Sequence, residues 1–466
     1  MRRLLTAAAV AGSLAYLLLY IGLALARLRY PYELEWMEGG MVEHVRRILE
    51  GRPLYAKPTL EFVSFLYPPG YYLASAALAS ITGVSFFPLR LLSFASSLGV
   101  FALLAALARR ETGSWIPGAL AAGIFAATFA RTGGWLDIAR LDSFYLLLLL
   151  GGAFALAHAR FRGGSALAGL LLAAAFFTKQ SGLVVAAPLL AHRAFVERKR
   201  ALGAATSALL AIGAGLIALE AASGPWFRYY CFTLPSRHPR LPAGAWTFWI
   251  ADVVPALPFA LPAAIAAVAF RKSAHLPVLA ASLVASSWAV RSVYGAEVNN
   301  LLPAFAALAL LAATMARRPV ARDLLVVAQL GWLVYVPSGL LPKAHDRDAG
   351  DRIVHRLSEL DGEIFIPHHG YLARLAGKRE TAHTLAMDNV FLDDHGPARR
   401  DLEAEVRGAL AGRRFGAAVI ESDRRYASWI LEGYVPRERL IGRPDAFWPV
   451  TGGRLRPETL ALPKAP

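Results

Sequence analysis

Apolar residues in this 466-residue chain come in long runs, and that restricts the fold more than any other feature. A helix crossing roughly 30 Å of hydrocarbon needs about 20 apolar residues, because lipid cannot satisfy exposed backbone N–H and C=O groups. Such runs recur near residues 4–26, 88–108, 114–130, 141–157, 165–178, 182–196, 201–222, 247–270, 275–292, 299–316 and 322–341. They predict a polytopic α-helical membrane protein of about 11 transmembrane helices.

The formal charge of +16 would suit nucleic acid, but its placement points to lipid as the partner and not to nucleic acid. The basic residues cluster in short loops: Arg2 and Arg3, Arg109 and Arg110, Arg160 and Arg162, Arg198 to Arg200, Arg271 and Lys272, and Arg317, Arg318 and Arg322. All fall on one side of the bilayer only if the chain turns at Thr178-Lys179-Gln180, making two short helices of residues 165–196. The positive-inside rule then makes the N-terminus cytoplasmic, in a multi-pass protein of the cell membrane. Lys179 and everything after about residue 342 are expected outside. The stretch Leu4 to Ala26 is long and lacks a small-x-small cleavage site, so it reads as an uncleaved first span. Cys231 is the single cysteine, which excludes an intrachain disulfide and a cysteine-based metal site.

Two domains are expected. Residues 1–342 form the transmembrane catalytic part, with an external loop at 27–87 that carries interfacial helices. Met37, Met41, Val45, Ile48 and Leu49 share one helix face there, and Glu38 and Glu43 are expected on its wet face; Tyr71 to Thr82 is a second, shorter interfacial helix. Residues 343–466 change character, with 20 basic and 19 acidic residues. Strand-length runs at Glu363 to Pro367 and Gly416 to Glu421 and a helical pattern at Asp401 to Leu410 predict a small extracytoplasmic α/β domain. It has no Gly-rich nucleotide loop, and no catalytic role follows for it. His368-His369 lacks a third ligand at metal spacing, so no metal is assigned.

Ionisable residues at membrane depth are expensive and mark function by default. Glu33 and Glu35 lie directly after the first span, beside Trp36, and Tyr67-Pro68-Pro69-Gly70-Tyr71-Tyr72 closes the same loop. On the same predicted face lie Arg131, Asp137, Arg140, Asp142, Lys179, Glu220, Asp252, Arg291, Glu297, Asn299 and Asn300. Arg237, His238 and Arg240 sit on the loop between the seventh and eighth spans, placed for substrate contact. Carboxylates mixed with cations suit a reaction on an anionic lipid. A guanidinium grips phosphate in a fork, and a carboxylate takes a proton from an attacking hydroxyl. The same charges could instead line a path for a transporter or flippase of lipid-linked saccharide, although no internal repeat is visible.

Glu33-Leu34-Glu35 on the first external loop, then Y-P-P-G-Y-Y, Pro88-Leu89-Arg90-Leu91, Ala139-Arg140-Leu141-Asp142-Ser143 and Phe177-Thr178-Lys179-Gln180, resemble the GT-C membrane glycosyltransferases. The order is similar to the protein O-mannosyltransferase and aminoarabinose-transferase branch, over about residues 1–200. The resemblance implies a GT-C-like fold and an inverting transfer of a sugar from a polyprenyl-phosphate donor to an envelope glycan, lipid or other hydroxyl. It implies that Glu33 or Glu35 is the base and that Arg140 and Lys179, with Arg131 nearby, bind the donor phosphate. Tyr67, Pro68, Pro69 and Asp142 would line the substrate cavity. No cofactor is required, and a divalent metal ion shared by the glutamates stays open. The family pair usually contains Asp, whereas both residues here are Glu.

Overall fold

The computed structural model describes residues 2–269, 274–315, 318–394, 396–421 and 424–465. Arg271, Lys272 and Arg317 of the charge argument lie outside the described residues. The chain opens with α1 (Arg2–Arg27), then the acidic loop, α2 (Glu38–Leu49), an irregular segment, α3 (Gly70–Thr82) and α4 (Phe86–Thr112). Gly113, in the left-handed region, ends α4, and the Ser114 hydroxyl accepts the Ile116 N–H at 3.2 Å to start the next helix. A tight reversal results. There follow α5 (Trp115–Ala127), α6 (Asp142–His158), α7 (Gly164–Phe176), α8 (Gly182–Val196) and α9 (Arg198–Ser223). The break between α7 and α8 falls where the charge argument requires a turn.

Four short pieces, α10 (Pro225–Arg228), α11 (Leu234–Arg237), α12 (Gly244–Thr247) and α13 (Val254–Ala256), are joined in part by π-helical turns at Tyr229–Thr233 and Phe248–Val253. Then come α14 (Ala260–Ala269), α15 (His275–Arg291), α16 (Leu302–Ala313), α17 (Pro319–Trp332) and α18 (Ala344–Ser358). Every residue of α16 is buried, as expected for a helix that is apolar all round, and α5, α14 and α15 pack against it. α1 lies against α5 and α17, and α7 against α6 and α9.

By length and composition, α1, α4 and α9 can each cross a membrane, and counting each of two bent pairs as one span raises three to five among the described residues. Two expected spans are corrected. Residues 247–270 are not one helix: the pieces on either side of Leu257-Pro258-Phe259 meet at 102°. Pro258 gives no N–H and drives the residue before it out of helical geometry, and Leu257 sits at φ −127°, ψ 48°. The span at 322–341 stops at Trp332, and the chain bends by 71° around extended Val336 and Pro337. A third correction concerns α2. Glu38 is fully buried and Glu43 only 9% exposed, so neither lies on a wet face. The helix is covered from both sides.

Past residue 358 the chain forms β1 (Ile364–Phe365), α19 (Gly370–Leu375), α20 (Thr384–Phe391), α21 (Pro397–Ala411), β2 (Ala417–Glu421), α22 (Arg424–Gly433), β3 (Tyr434–Arg439) and β4 (Pro457–Pro463). The sheet order is β1-β2-β4-β3, with β1 and β2 parallel through Ile364 opposite Ala417, and β2 and β4 antiparallel through Val419 opposite Leu460. β1, β2 and α21 match the sequence expectation; β3 and β4 do not follow from it. α19 packs on α2, which brings this part of the chain against the acidic loop.

Candidate active site

The three glutamates of the acidic loop are all buried, and each turns to a different partner. Glu38 meets Arg90 of α4 with both oxygens, Oε1 to Nε at 2.9 Å and Oε2 to Nη2 at 2.6 Å. It also accepts the N–H groups of Leu34 at 2.7 Å and Ala139 at 2.6 Å. Burial opposes its charge, yet Arg90 and these donors hold it below the usual carboxylate range. Arg90 spends its other N–H groups on the carbonyls of Tyr30 at 2.6 Å and Tyr32 at 2.7 Å. The pair is the spine that folds the loop.

Glu35 accepts from Arg140 Nη1 at 2.9 Å and from the Met37 N–H at 3.2 Å, while its Oε1 has no hydrogen-bond partner. Burial lifts this carboxyl to about 7, with Arg140 pulling against it. Glu33 accepts the Gly39 N–H at 2.9 Å, and burial raises it well above its usual range. Only glycine fits at 39, since a Cβ there would sit 2.5 Å from Glu33 Oε1. The other oxygen of Glu33 faces His369 Nε2 at 3.5 Å.

Arg140 is buried and does not itself line the cavity; it reaches from Glu35 to a residue that does. Its guanidinium stacks over Trp135 and points Nη2 at the Tyr67 hydroxyl, 3.4 Å away. Tyr67 lines a cavity of about 640 Å³, a size that suits a small ligand or the head of a larger one. Lys179, in the turn between α7 and α8, lines the same cavity and is held by Asp142 at 3.1 Å and Asn300 at 2.8 Å; Asn299 braces Asp142 at 3.0 Å. Gln180 ties the walls together through the carbonyls of Leu66 at 2.6 Å and Cys231 at 2.7 Å. His238 and Arg240 line the cavity as well.

Other expected residues stand elsewhere. Pro68 and Pro69 are buried behind Tyr67, with Pro69 at the start of α3. Arg237 is turned to Asp393, and Arg131 is solvent-exposed and does not line the cavity. Of the polar residues expected on one face, Asp137 pairs with Arg27, Glu220 with Arg228, and Asp252 with Arg291, and none of these lines the cavity. Glu33 and Glu35 are not drawn to one point, and among the described residues no group of three or more His, Cys, Asp or Glu side chains can hold a metal ion. Glu33 and Glu35 keep separate partners, the Gly39 N–H and Arg140.

Sequence reasoning missed two contributions. Arg90 was visible as a charged residue inside an apolar run, the usual sign of a buried function. The C-terminal part gave no such sign. Asp388, Asn389 and Arg425 line the large cavity. Thr451 donates its N–H to the Leu34 carbonyl at 3.1 Å and accepts from Trp135 Nε1 at 3.0 Å, while His383 Nε2 lies 3.1 Å from the Trp36 carbonyl. Gly452 presses so closely on the loop that a Cβ would lie 2.9 Å from Glu35 Oε1.

No family model matches the sequence, and no curated protein matches it significantly. Solved structures do. ArnT from Cupriavidus metallidurans bound to undecaprenyl phosphate superposes with a TM-score of 0.60 at 13% identity, covering 96% of this chain and 98% of that one. ArnT in the apo state gives 0.52 at 13% identity, over 96% and 97%. An Archaeoglobus fulgidus oligosaccharyltransferase tethered with an acceptor peptide gives 0.50 at 13% identity, over 91% of this chain and 73% of that one. At such identity the likeness is one of fold: this chain folds as these ArnT and oligosaccharyltransferase structures do.

Proposed function

We propose that this protein transfers a sugar from a polyprenyl-phosphate donor to a hydroxyl of an envelope glycan or lipid, with inversion, on the extracytoplasmic side of the cell membrane. Residues 1–342 are its transmembrane domain, the N-terminus is cytoplasmic, and residues 343–466 form a domain on the same side as the acidic loop. The observation that carries the reading is the line Glu35, Arg140, Tyr67, cavity, Lys179: a buried carboxylate joined through one guanidinium to Tyr67, which lines a cavity together with a second cation.

The chemistry follows from that line. Arg140 and Lys179 offer a planar fork and a point charge to the donor phosphate, and both are preorganised by buried partners. The acceptor oxygen attacks the anomeric carbon while the bond from that carbon to the phosphate oxygen breaks, and the lipid phosphate leaves with the electron pair. Glu35 takes the acceptor proton; a carboxyl near 7 is suited to that at neutral pH. A donor phosphate engaging Arg140 would free Glu35 from its partner. The relatives in fold include one bound to undecaprenyl phosphate and one tethered with an acceptor peptide, which supports a lipid-phosphate donor and a separate acceptor.

The test is transfer of labelled sugar from polyprenyl phosphate into a cell-envelope fraction by purified protein, wild type beside Glu35→Gln. Turnover should vanish in the variant while donor binding persists. Equal turnover in both would overturn the assignment of Glu35, and wild-type protein that carries lipid-linked sugar across vesicles without transferring it would support a flippase instead.

A further inference from the structure

Behind Glu33, the C-terminal part places an imidazole and a carboxylate in line. Glu421, at the end of β2, is 5% exposed, and both of its oxygens are engaged. Oε2 accepts the main-chain N–H of His368 at 2.7 Å and lies 2.8 Å from His368 Nδ1; Oε1 meets Nδ1 of His369. An ionised carboxylate only accepts, so both Nδ1 atoms carry hydrogens. His369 is 3% exposed, and with Nδ1 committed its Nε2 faces Glu33 Oε2 at 3.5 Å. That oxygen is buried and has no hydrogen-bond partner. Two acceptor atoms do not face one another in a dry interior without a proton to share. One proton therefore belongs to the Glu33 and His369 pair, and burial, which raises Glu33 well above its usual range, keeps it on the carboxyl, which donates to Nε2.

We propose that His369 and Glu421 are positioning residues of the transfer centre: Glu421 sets the ring, and the ring holds Glu33 and with it the loop that presents Glu35. The proposal rests on the reading of Glu35 as base. The other groups around the pair are Tyr371 of α19, whose hydroxyl lies 3.4 Å from the Glu33 N–H, with His368 and His383 beside the ring and Glu35 and Glu38 beside Glu33. Their geometry ties the loop to the C-terminal part at the one carboxylate that Arg90 and Arg140 do not hold. The same arrangement links the charge on Glu33 to its neighbour. An ionised Glu33 repels the charge on Glu35, and a neutral one does not.

The experiment uses the full chain in lipid nanodiscs, wild type beside Glu421→Gln, with two readouts. The first is the infrared band of protonated buried carboxyl, assigned to Glu33 by its loss in Glu33→Gln. Without the carboxylate at 421 the ring is no longer fixed with its Nε2 toward Glu33, so this band should shift and weaken at neutral pH. The second is transfer from the polyprenyl-phosphate donor. Here kcat should fall about 10- to 100-fold, the range for groups that orient a reacting residue from behind, with KM for the donor unchanged. The acidic limb of the kcat profile should move to higher pH, since a Glu33 that ionises more readily repels the charge on Glu35. If Glu421→Gln does not fold, His369→Gln serves, since its amide can reach Glu33 but is not held by Glu421 as the ring is, and the band should again shift. An unchanged band together with a wild-type pH profile would overturn the proposal. If wild-type protein transfers nothing, the transferase reading fails, and the infrared readout still decides on the pair alone.

Discussion

Two carboxylate–arginine pairs lie three residues apart on one loop and are built for opposite ends. Glu38 and Arg90 are completely buried and meet two to two, and every other donor near them is used. Glu35 and Arg140 are equally buried but touch through one contact; Glu35 Oε1 and Arg140 Nε have no hydrogen-bond partner, and the guanidinium leans toward a cavity. A saturated buried pair holds structure, because nothing in it can change partner without leaving a charge bare. An unsaturated one costs stability and keeps valence for a substrate. Satisfaction of hydrogen bonds, more than burial or charge, separates scaffold from site here.

Breaking the saturated pair should have the largest effect. Arg90→Ala leaves Glu38 charged and alone in the interior, and should cost about 3–5 kcal/mol of stability, read as a lower unfolding temperature or loss of folded protein in detergent. Arg140→Ala should leave unfolding much closer to wild type and instead remove transfer, by about 100- to 10,000-fold, the scale of losing charge stabilisation and base alignment together. A comparable stability loss in both variants would erase the contrast.

The two glutamates should also respond to acid with opposite sign. Glu38 is held below 4.5 in the folded state, so its contribution to stability is present above that value and is lost as pH falls further. Glu35 is raised to about 7, so the folded chain binds the extra proton between 4.5 and 7, and the stability that this group contributes below 4.5 is lost as pH rises toward 7. Glu35→Gln should flatten the stability profile between those values, measured by thermal unfolding across pH. Transfer should rise through pH about 7 as the base ionises. Least affected should be Arg131→Ala: that side chain is exposed and away from the cavity, so kcat and KM should match wild type in the same assay.

How much of this the sequence carried can be seen residue by residue. The acidic loop, the Y-P-P-G run, Arg140 and Lys179 were visible because a charge beside or within an apolar run stands out whatever its partner. The turn at Lys179 was visible because loop charge distinguishes one long helix from two short ones. Glu38 was misplaced because its charge was read as solvated: at i, i+3 and i+7 it shares the face of Met41 and Val45, and only the fold brings Arg90 there to meet it. Arg131 and Arg140 looked alike in sequence, yet only one of them turns inward.

The sequence by itself determined the class of protein, the position of most helices and the loop on which the chemistry is expected, because each depends on hydrophobicity and charge within a few neighbouring residues. Tertiary structure alone decided which glutamate meets which cation, where Pro258 and Pro337 bend the chain, and that the C-terminal part belongs to the site. Those outcomes rest on contacts between distant residues: Arg140 reaches Glu35 across 105 residues of chain, and His369 reaches Glu421 across 52. Coulomb and hydrogen-bond energies depend on separation in space, which local pattern does not encode.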